Sequence, residues 1–182
     1  IDYTNPHVLR QELIERKPTH VINCAGFTGR PHIDECEIKK EETVQANIVL
    51  AANISRLCEE FRIPLVHLSS GCIYQGAEDY SEEAEPAKDL SFYSRTKYMG
   101  EQVVKGYILR VRMPFDGSGN PRCLLSKLSK YPRLINEINS LTYLPDLIEA
   151  TKALLQAQAP YGIYNVVNTG AVNHEQICDL MG

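Results

Sequence analysis

No stretch of this sequence is apolar for long enough to cross a bilayer. The longest unbroken runs reach about five residues, Ile48 to Ala52, against the roughly 20 that a spanning helix needs. Positive charge is not in excess either. Nineteen Lys and Arg against 23 Asp and Glu leave a formal net charge of −4, which argues against nucleic-acid binding through bulk positive potential. The six cysteines (24, 36, 58, 72, 123 and 178) include no CxxC and no paired spacing with the five histidines. No metal site is therefore expected. Most of these cysteines fall in apolar-periodic segments and read as small buried hydrophobes. With no signal peptide in view, the reduced cytoplasm is the expected compartment. What is left is an ordinary globular composition, 43% hydrophobic and 23% charged over 182 residues. That suits one well-buried domain and is too short for two of usual size.

Along the chain, helical and strand patterns alternate. Asn5-Pro6 followed by Val8, Leu9, Leu13 and Ile14 predicts a capped helix with proline in its first turn. Residues 19–24 form a β-branched run that predicts a buried strand. Val44, Ile48, Ala51, Ile54, Leu57 and Cys58 recur at steps of three and four, predicting one long helix over 37–62. Further strands are expected at 65–69, 107–112 and 162–167, and further helices at 92–105, 123–129 and 145–158. Asn173 is expected to cap a last helix. The acidic stretch 77–89 reads as a solvated loop. Apolar strands alternating with helices, without a hairpin signal, specify an α/β fold with a parallel sheet covered on both faces. Ligands in such folds sit beyond the carboxyl ends of the strands, which here means Cys24 to Gly26, Ser69 to Cys72 and Arg112 to Pro114.

Tyr93 and Lys97 form a YxxxK pair on one helical face. Ten tyrosines in the chain make that pair weak by itself, and its context gives it weight. A strand ends upstream in Ser69-Ser70, where a hydroxyl can project over the sheet edge. Serine, tyrosine and lysine together make a proton donor for a carbonyl under reduction. A nearby ammonium is expected to lower the phenol pKa, while the serine hydroxyl holds the substrate oxygen.

With the Asn23 to Gly26 strand exit, this trio resembles the extended short-chain dehydrogenase/reductase family. The segment Cys24-Ala25-Gly26-Phe27-Thr28-Gly29-Arg30-Pro31 is similar to the AGxTGRP of UDP-4-keto-6-deoxyglucose 3,5-epimerase/4-reductases. Ser70-Gly71-Cys72-Ile73-Tyr74 is similar to their TGCIF, and Phe92 to Lys97 to their FYSKTK. Leu109 to Pro114 reads LRVRMP, Asn120 to Lys127 fits NPRxxxxK, and Asn139 to Thr142 and Gly162 to Asn165 resemble NSMT and GIWN. The resemblance implies a Rossmann-type, doubly wound parallel sheet. It implies one domain over 1–182, with a dinucleotide-binding core (1–112 and 143–167) and a small substrate lobe (113–142 and 168–182). The family's glycine-rich GxxGxxG turn, which seats a pyrophosphate on a helix N-terminus, is absent from these residues and is expected to precede Ile1.

By resemblance, Ser70, Tyr93 and Lys97 are the reductase set, and Cys72 with Lys127 the acid/base pair of epimerisation. Extended backbone would point Ser70 and Cys72 the same way. NADP(H) or NAD(H) is the implied cofactor, against Cys24, Ala25, Gly26, Tyr93, Lys97, Met113 and Pro114. A UDP- or dTDP-linked 4-keto-6-deoxy sugar is the implied substrate, with Arg30, Asn120, Arg122 and Asn139 as candidate contacts and Thr142 as a weaker one. The implied product is a nucleotide-linked rhamnose. Asn47 is expected to serve only its helix backbone. Nucleic acid and membrane are not expected partners; a homodimer is compatible. Two rival readings stand: reduction without epimerisation, and a catalytically idle NADP-binding subunit on the same fold. Hydrolysis by a nucleophilic serine or cysteine lacks a paired histidine, since His67 reads as structural.

Overall fold

The computed structural model describes residues 2–76, 79–121, 123–131, 133–134 and 136–181. Four parallel strands, β1 (Val21–Asn23), β2 (Leu65–Ser70), β3 (Tyr107–Val111) and β6 (Gly162–Asn165), form a sheet in the order β1-β2-β3-β6. Their register sets Asn23 beside His67, Ser70 beside Val111 and Arg110 beside Asn165. All four therefore end along one edge. A second, small sheet pairs β4 (Pro114–Phe115) with β5 (Thr142–Tyr143), two strands that the sequence pattern did not announce.

The strands are continuously apolar because each face has its own core. In β2, Leu65 packs with Leu9 and Leu13 of α1 (Pro6–Arg16) and with Leu50, Ile54 and Leu57 of α4 (Leu50–Phe61). The next residue, Val66, points the other way and packs with Tyr107, Leu109 and Leu147, the last from α7 (Leu144–Gln156). Alternation along one strand thus feeds two helical layers. Each buried Leu contributes about 1.5–3 kcal/mol relative to exposure. Capping fixes where the helices begin. Asn5 Oδ1 accepts from His7 N at 2.9 Å. At α8 (His174–Met181), Asn173 Oδ1 accepts from Gln176 N while Gln176 Oε1 accepts from Asn173 N, a reciprocal capping box.

The long helix expected over 37–62 is interrupted. It is built as α2 (Glu35–Ile38), α3 (Lys40–Val44), a π turn (Gln45–Val49) and α4. Lys39 leaves helical geometry at φ −92, ψ 60, and the π turn carries buried Asn47. The helix expected to reach residue 105 ends at Gln102 (α5, Phe92–Gln102). The tight join before β3 needs Gly106, where a Cβ would lie 2.4 Å from the Leu65 carbonyl oxygen. The acidic stretch is not merely solvated. Tyr80 stacks on Tyr74 at 4.7 Å between ring centroids, and Glu82 Oε1 accepts from Asn165 N at 2.8 Å, which ties the loop to β6. No helix among the described residues is long and apolar enough to cross a membrane.

Candidate active site

The exit of β2 and the first turn of α5 bring the Ser70 and Tyr93 side chains together, while Lys97, one turn further along α5, reaches toward Leu68 and Gly26. Ser91 caps α5 by accepting from Ser94 N at 3.2 Å. The Ser94 hydroxyl then donates to Cys72 O at 2.9 Å, fastening the helix to the β2 exit. The Tyr93 phenol lies beside the Ser70 hydroxyl and the Cys72 side chain. Burial pushes Tyr93 up to about 12, more than the Ser70 hydrogen bond offsets. This corrects the expected lowering by an ammonium. Lys97 turns away to donate to the Leu68 carbonyl at 2.7 Å. It is 5% exposed, and burial brings its pKa down to about 8 despite the opposing charge of Glu101. Ser70 and Cys72 also differ from expectation. Residues Gly71–Ile73 form a 3₁₀ turn capped by Ser70, whose Oγ accepts from Cys72 N at 3.2 Å, so the extended-backbone argument does not hold there.

At the β1 exit, Asn23 Oδ1 accepts from Ala25 N at 3.0 Å. That leaves its Nδ2 to donate to His67 Nδ1 at 2.9 Å, which puts the proton of the neutral imidazole on Nε2. Burial, helped by the Lys97 ammonium, lowers His67 to about 3, so the ring stays neutral. Asn47 does far more than serve its own helix. Its Oδ1 accepts from Phe27 N at 2.8 Å, and its Nδ2 donates to Phe27 O and Thr96 Oγ1, each at 3.1 Å. One buried amide thereby holds the β1 exit loop against α5. Gly100 is the matching requirement, since a Cβ there would lie 2.4 Å from the Asn47 carbonyl oxygen. Cys24, Ala25 and Gly26 are exposed. A Cβ on Gly26 would meet Asn47 Oδ1 at 3.1 Å and Lys97 Nζ at 3.9 Å. A bare backbone surface beside an ammonium and a phenol fits the nicotinamide and ribose half of a dinucleotide.

Beyond β3, Arg112 N donates to Thr142 Oγ1 at 2.9 Å and Met113 takes a left-handed φ of 42°, which turns the chain into β4. A cleft of about 610 Å³ opens here, lined in part by Tyr74, Arg112, Asn139, Asn165 and Asn168. The expected sugar contacts fare unevenly. Asn139 lines this cleft, but its Oδ1 is taken by Arg112 Nε and Nη2. Thr142 is buried and donates to Val166 O at 2.7 Å, a structural bond in place of a sugar contact. Asn120 and Arg30 are exposed on loops, and Arg122 lies outside the described residues. Lys127 is exposed on α6 (Leu124–Leu128), and among the described residues no hydrogen bond or ion pair joins it to Cys72. Among the described residues no cluster of His, Cys, Asp or Glu could hold a metal. Sequence reasoning missed Arg112 and the Asn47 clamp. The sign of the first was available: Arg110 and Arg112 stand two apart in the run expected as a strand.

The family model for the RmlD substrate binding domain matches residues 1–180. The chain belongs to that family. This RmlD-type chain is 36% identical over 185 residues to a trifunctional UDP-glucose 4,6-dehydratase/UDP-4-keto-6-deoxy-D-glucose 3,5-epimerase/UDP-4-keto-L-rhamnose-reductase of Arabidopsis thaliana, covering 94% of this chain and 28% of that protein. It is 35% identical to a bifunctional dTDP-4-dehydrorhamnose 3,5-epimerase/dTDP-4-dehydrorhamnose reductase of the same plant, covering 90% and 58%. The chain thus spans well under two thirds of these relatives. Among solved structures, a UDP-rhamnose synthase from Acanthamoeba polyphaga mimivirus superposes with TM-score 0.89 at 27% identity, covering all of this chain and 69% of that one. A dTDP-4-dehydrorhamnose reductase from Bacillus anthracis, in complex with NADP, gives 0.85 at 26%, covering 100% and 68%. The RmlD-type sheet is accordingly Rossmann-type and doubly wound.

Proposed function

We propose that the protein binds NADP(H) or NAD(H) and reduces the ketone of a UDP- or dTDP-linked 4-keto-6-deoxy sugar, epimerising its two neighbouring carbons first, to give a nucleotide-linked rhamnose. The observation that supports this reading is the Ser70 hydroxyl beside the Tyr93 phenol, with Lys97 one helical turn on. When bound, the dinucleotide supplies hydride to the ketone carbon. Ser70 and Tyr93 hydrogen-bond the ketone oxygen, and the phenol hands its proton to the forming alkoxide. A phenol held near 12 is fully protonated at neutral pH, and an alkoxide is a stronger base than a phenolate, so the transfer runs downhill. Lys97 and the bare Cys24 to Gly26 backbone would hold the ribose, and Met113 and Pro114 would line the nicotinamide. We assign residues 113–142 and 168–182 to the substrate lobe and the remainder to the dinucleotide core.

For epimerisation the ketone acidifies the adjacent C–H bonds. Cys72 removes the proton, Ser70 and Tyr93 stabilise the enolate oxygen, and Lys127 is the candidate to return a proton on the opposite ring face. Tyr93→Phe should abolish NADPH oxidation while the substrate still exchanges deuterium beside the ketone; unchanged reduction would refute the donor assignment. Reduction without epimerisation is the second reading, and the exposure of Lys127 on α6 favours it. Cys72→Ala discriminates the two. It should lose exchange under the first reading and change nothing under the second.

A further inference from the structure

Arg110, in β3, and Arg112, one residue past its end, line the same cleft, yet their partners differ in kind. Arg110 meets the Glu101 carboxylate at 2.7 Å. Arg112 has no ion pair with a carboxylate among the described residues. Its Nη1 donates to Cys72 Sγ at 3.0 Å, and its Nε and Nη2 both donate to Asn139 Oδ1, the former at 3.0 Å. Asn139 is itself fixed through a backbone bridge to Val172 and a bond from its Nδ2 to Glu137 O. The arginine stem runs past Gly71, where a Cβ would lie 3.6 Å from Arg112 Cβ. The guanidinium is thus aimed at one sulfur by an anchored fork, with its positive charge unspent on any acid.

We propose that Arg112 is a positioning residue that holds Cys72 Sγ and stabilises its thiolate for removing the proton beside the sugar ketone. A guanidinium hydrogen-bonded to sulfur favours the anion over the thiol. Asn139, a neutral acceptor, fixes the fork without neutralising it. In the step, the C–H electron pair becomes the enolate double bond, the ketone π pair moves to oxygen, and the proton ends on sulfur. Arg112 stays a cation throughout and exchanges no proton. The inference rests on the epimerase reading above.

The test follows iodoacetamide alkylation at Cys72 against pH in the full chain, by peptide mass spectrometry, with exposed Cys24 as internal reference. Arg112→Gln should slow Cys72 alkylation at pH 7 by about tenfold, because the sulfur loses the donor that orients it and favours its reactive anion. Alkylation of Cys24 should be unaffected. Arg112→Lys, which keeps the charge and loses the fork, should fall between and serves if the glutamine variant does not fold. An alkylation profile that neither variant moves overturns the proposal, including the case in which only substrate KM rises because the guanidinium serves the substrate in the cleft. Deuterium exchange by Cys72→Ser tests the epimerase reading separately: exchange that persists refutes Cys72 as base, whatever Arg112 does to its reactivity.

Discussion

Two cations lie buried beside α5, and the fold treats them in opposite ways. Arg110 of β3, 2% exposed, faces Glu101 in the last turn of α5, 3% exposed. Burial opposes its charge, but the hydrogen bonds and charge of Glu101 more than compensate and hold Arg110 above its usual pKa. The Ser69 hydroxyl donates to the same carboxylate at 2.5 Å, and Arg110 also reaches Tyr74 and Glu82 O. Lys97, midway along α5, is nearly as buried, and its one hydrogen bond among the described residues goes to a carbonyl. Glu101 stands one turn away on the same helix and turns its carboxylate to Arg110. The first cation is compensated and ties α5 to β2 and β3. The second is compensated only in part, by Glu101, beneath the exposed backbone of Gly26. A charge the fold does not fully satisfy marks a place where a ligand can.

That contrast can be broken at Arg110 first. Arg110→Met leaves a buried carboxylate unpaired and should lower stability by about 3–5 kcal/mol, read by urea denaturation. Adding Glu101→Leu should recover most of it, and failure to recover would show that the pair is more than mutual compensation. Lys97→Met should act in the opposite sense. The unfolded chain keeps this lysine charged to about 10.5 and the fold only to about 8, so between those values the unfolded state binds more protons and stability rises with pH. Below pH 8 the buried charge withholds about 3 kcal/mol, at about 1.4 kcal/mol per pH unit. The methionine variant should be inactive in reduction yet more stable at pH 7, with the alkaline rise in stability gone. A variant that loses both activity and stability would mean that Lys97 is structurally compensated after all.

Smaller effects sharpen the picture around the two cations. His67 falls to about 3 in the fold, through burial and the Lys97 ammonium, from an ordinary 6.5. The unfolded chain therefore binds more protons below pH 6.5, and stability drops as pH falls. The loss by pH 5 is bounded at about 2 kcal/mol, and His67→Phe should flatten it in thermal melts taken from pH 7 to pH 5. Ser69→Ala removes one bond to a carboxylate that Arg110 still satisfies, and should lower stability by only about 1 kcal/mol.

Much of the fold was legible because periodicity reports burial directly. Leu65, Val66 and Leu68, and Tyr107 to Leu109, put apolar side chains on both faces of short β-branched runs bounded by Pro64 and Gly106, the pattern of interior parallel strands. Ser70, Tyr93 and Lys97 were legible as a set for a similar reason: a helical step of four and a strand exit fix their neighbourhood. The error over Tyr93 arose because spacing says which groups are close and not which way an ammonium turns, and Lys97 found a carbonyl first. The broken helix was not legible, since Lys39 and the π turn shift its phase by fractions of a turn while apolar residues continue at steps of three and four. The Asn47 clamp was missed because an asparagine inside a helical pattern carries no sign of what its amide meets 20 residues earlier, at Phe27. The partner of Arg112 was equally hidden. Alternation gives a side chain its face but not the sulfur at the end of its reach.

The π turn at Gln45–Val49 amounts to one surplus residue wound into the helix. Its excision would restore a regular spiral and swing everything on one flank by about 100°, the advance of a single α-helical residue. Either Asn47 would then leave Phe27, freeing the β1 exit loop, or Leu50, Ile54 and Leu57 would roll out from under the sheet. The irregularity is what lets one continuous rod keep a polar fastening and an oily underside in phase with separate neighbours.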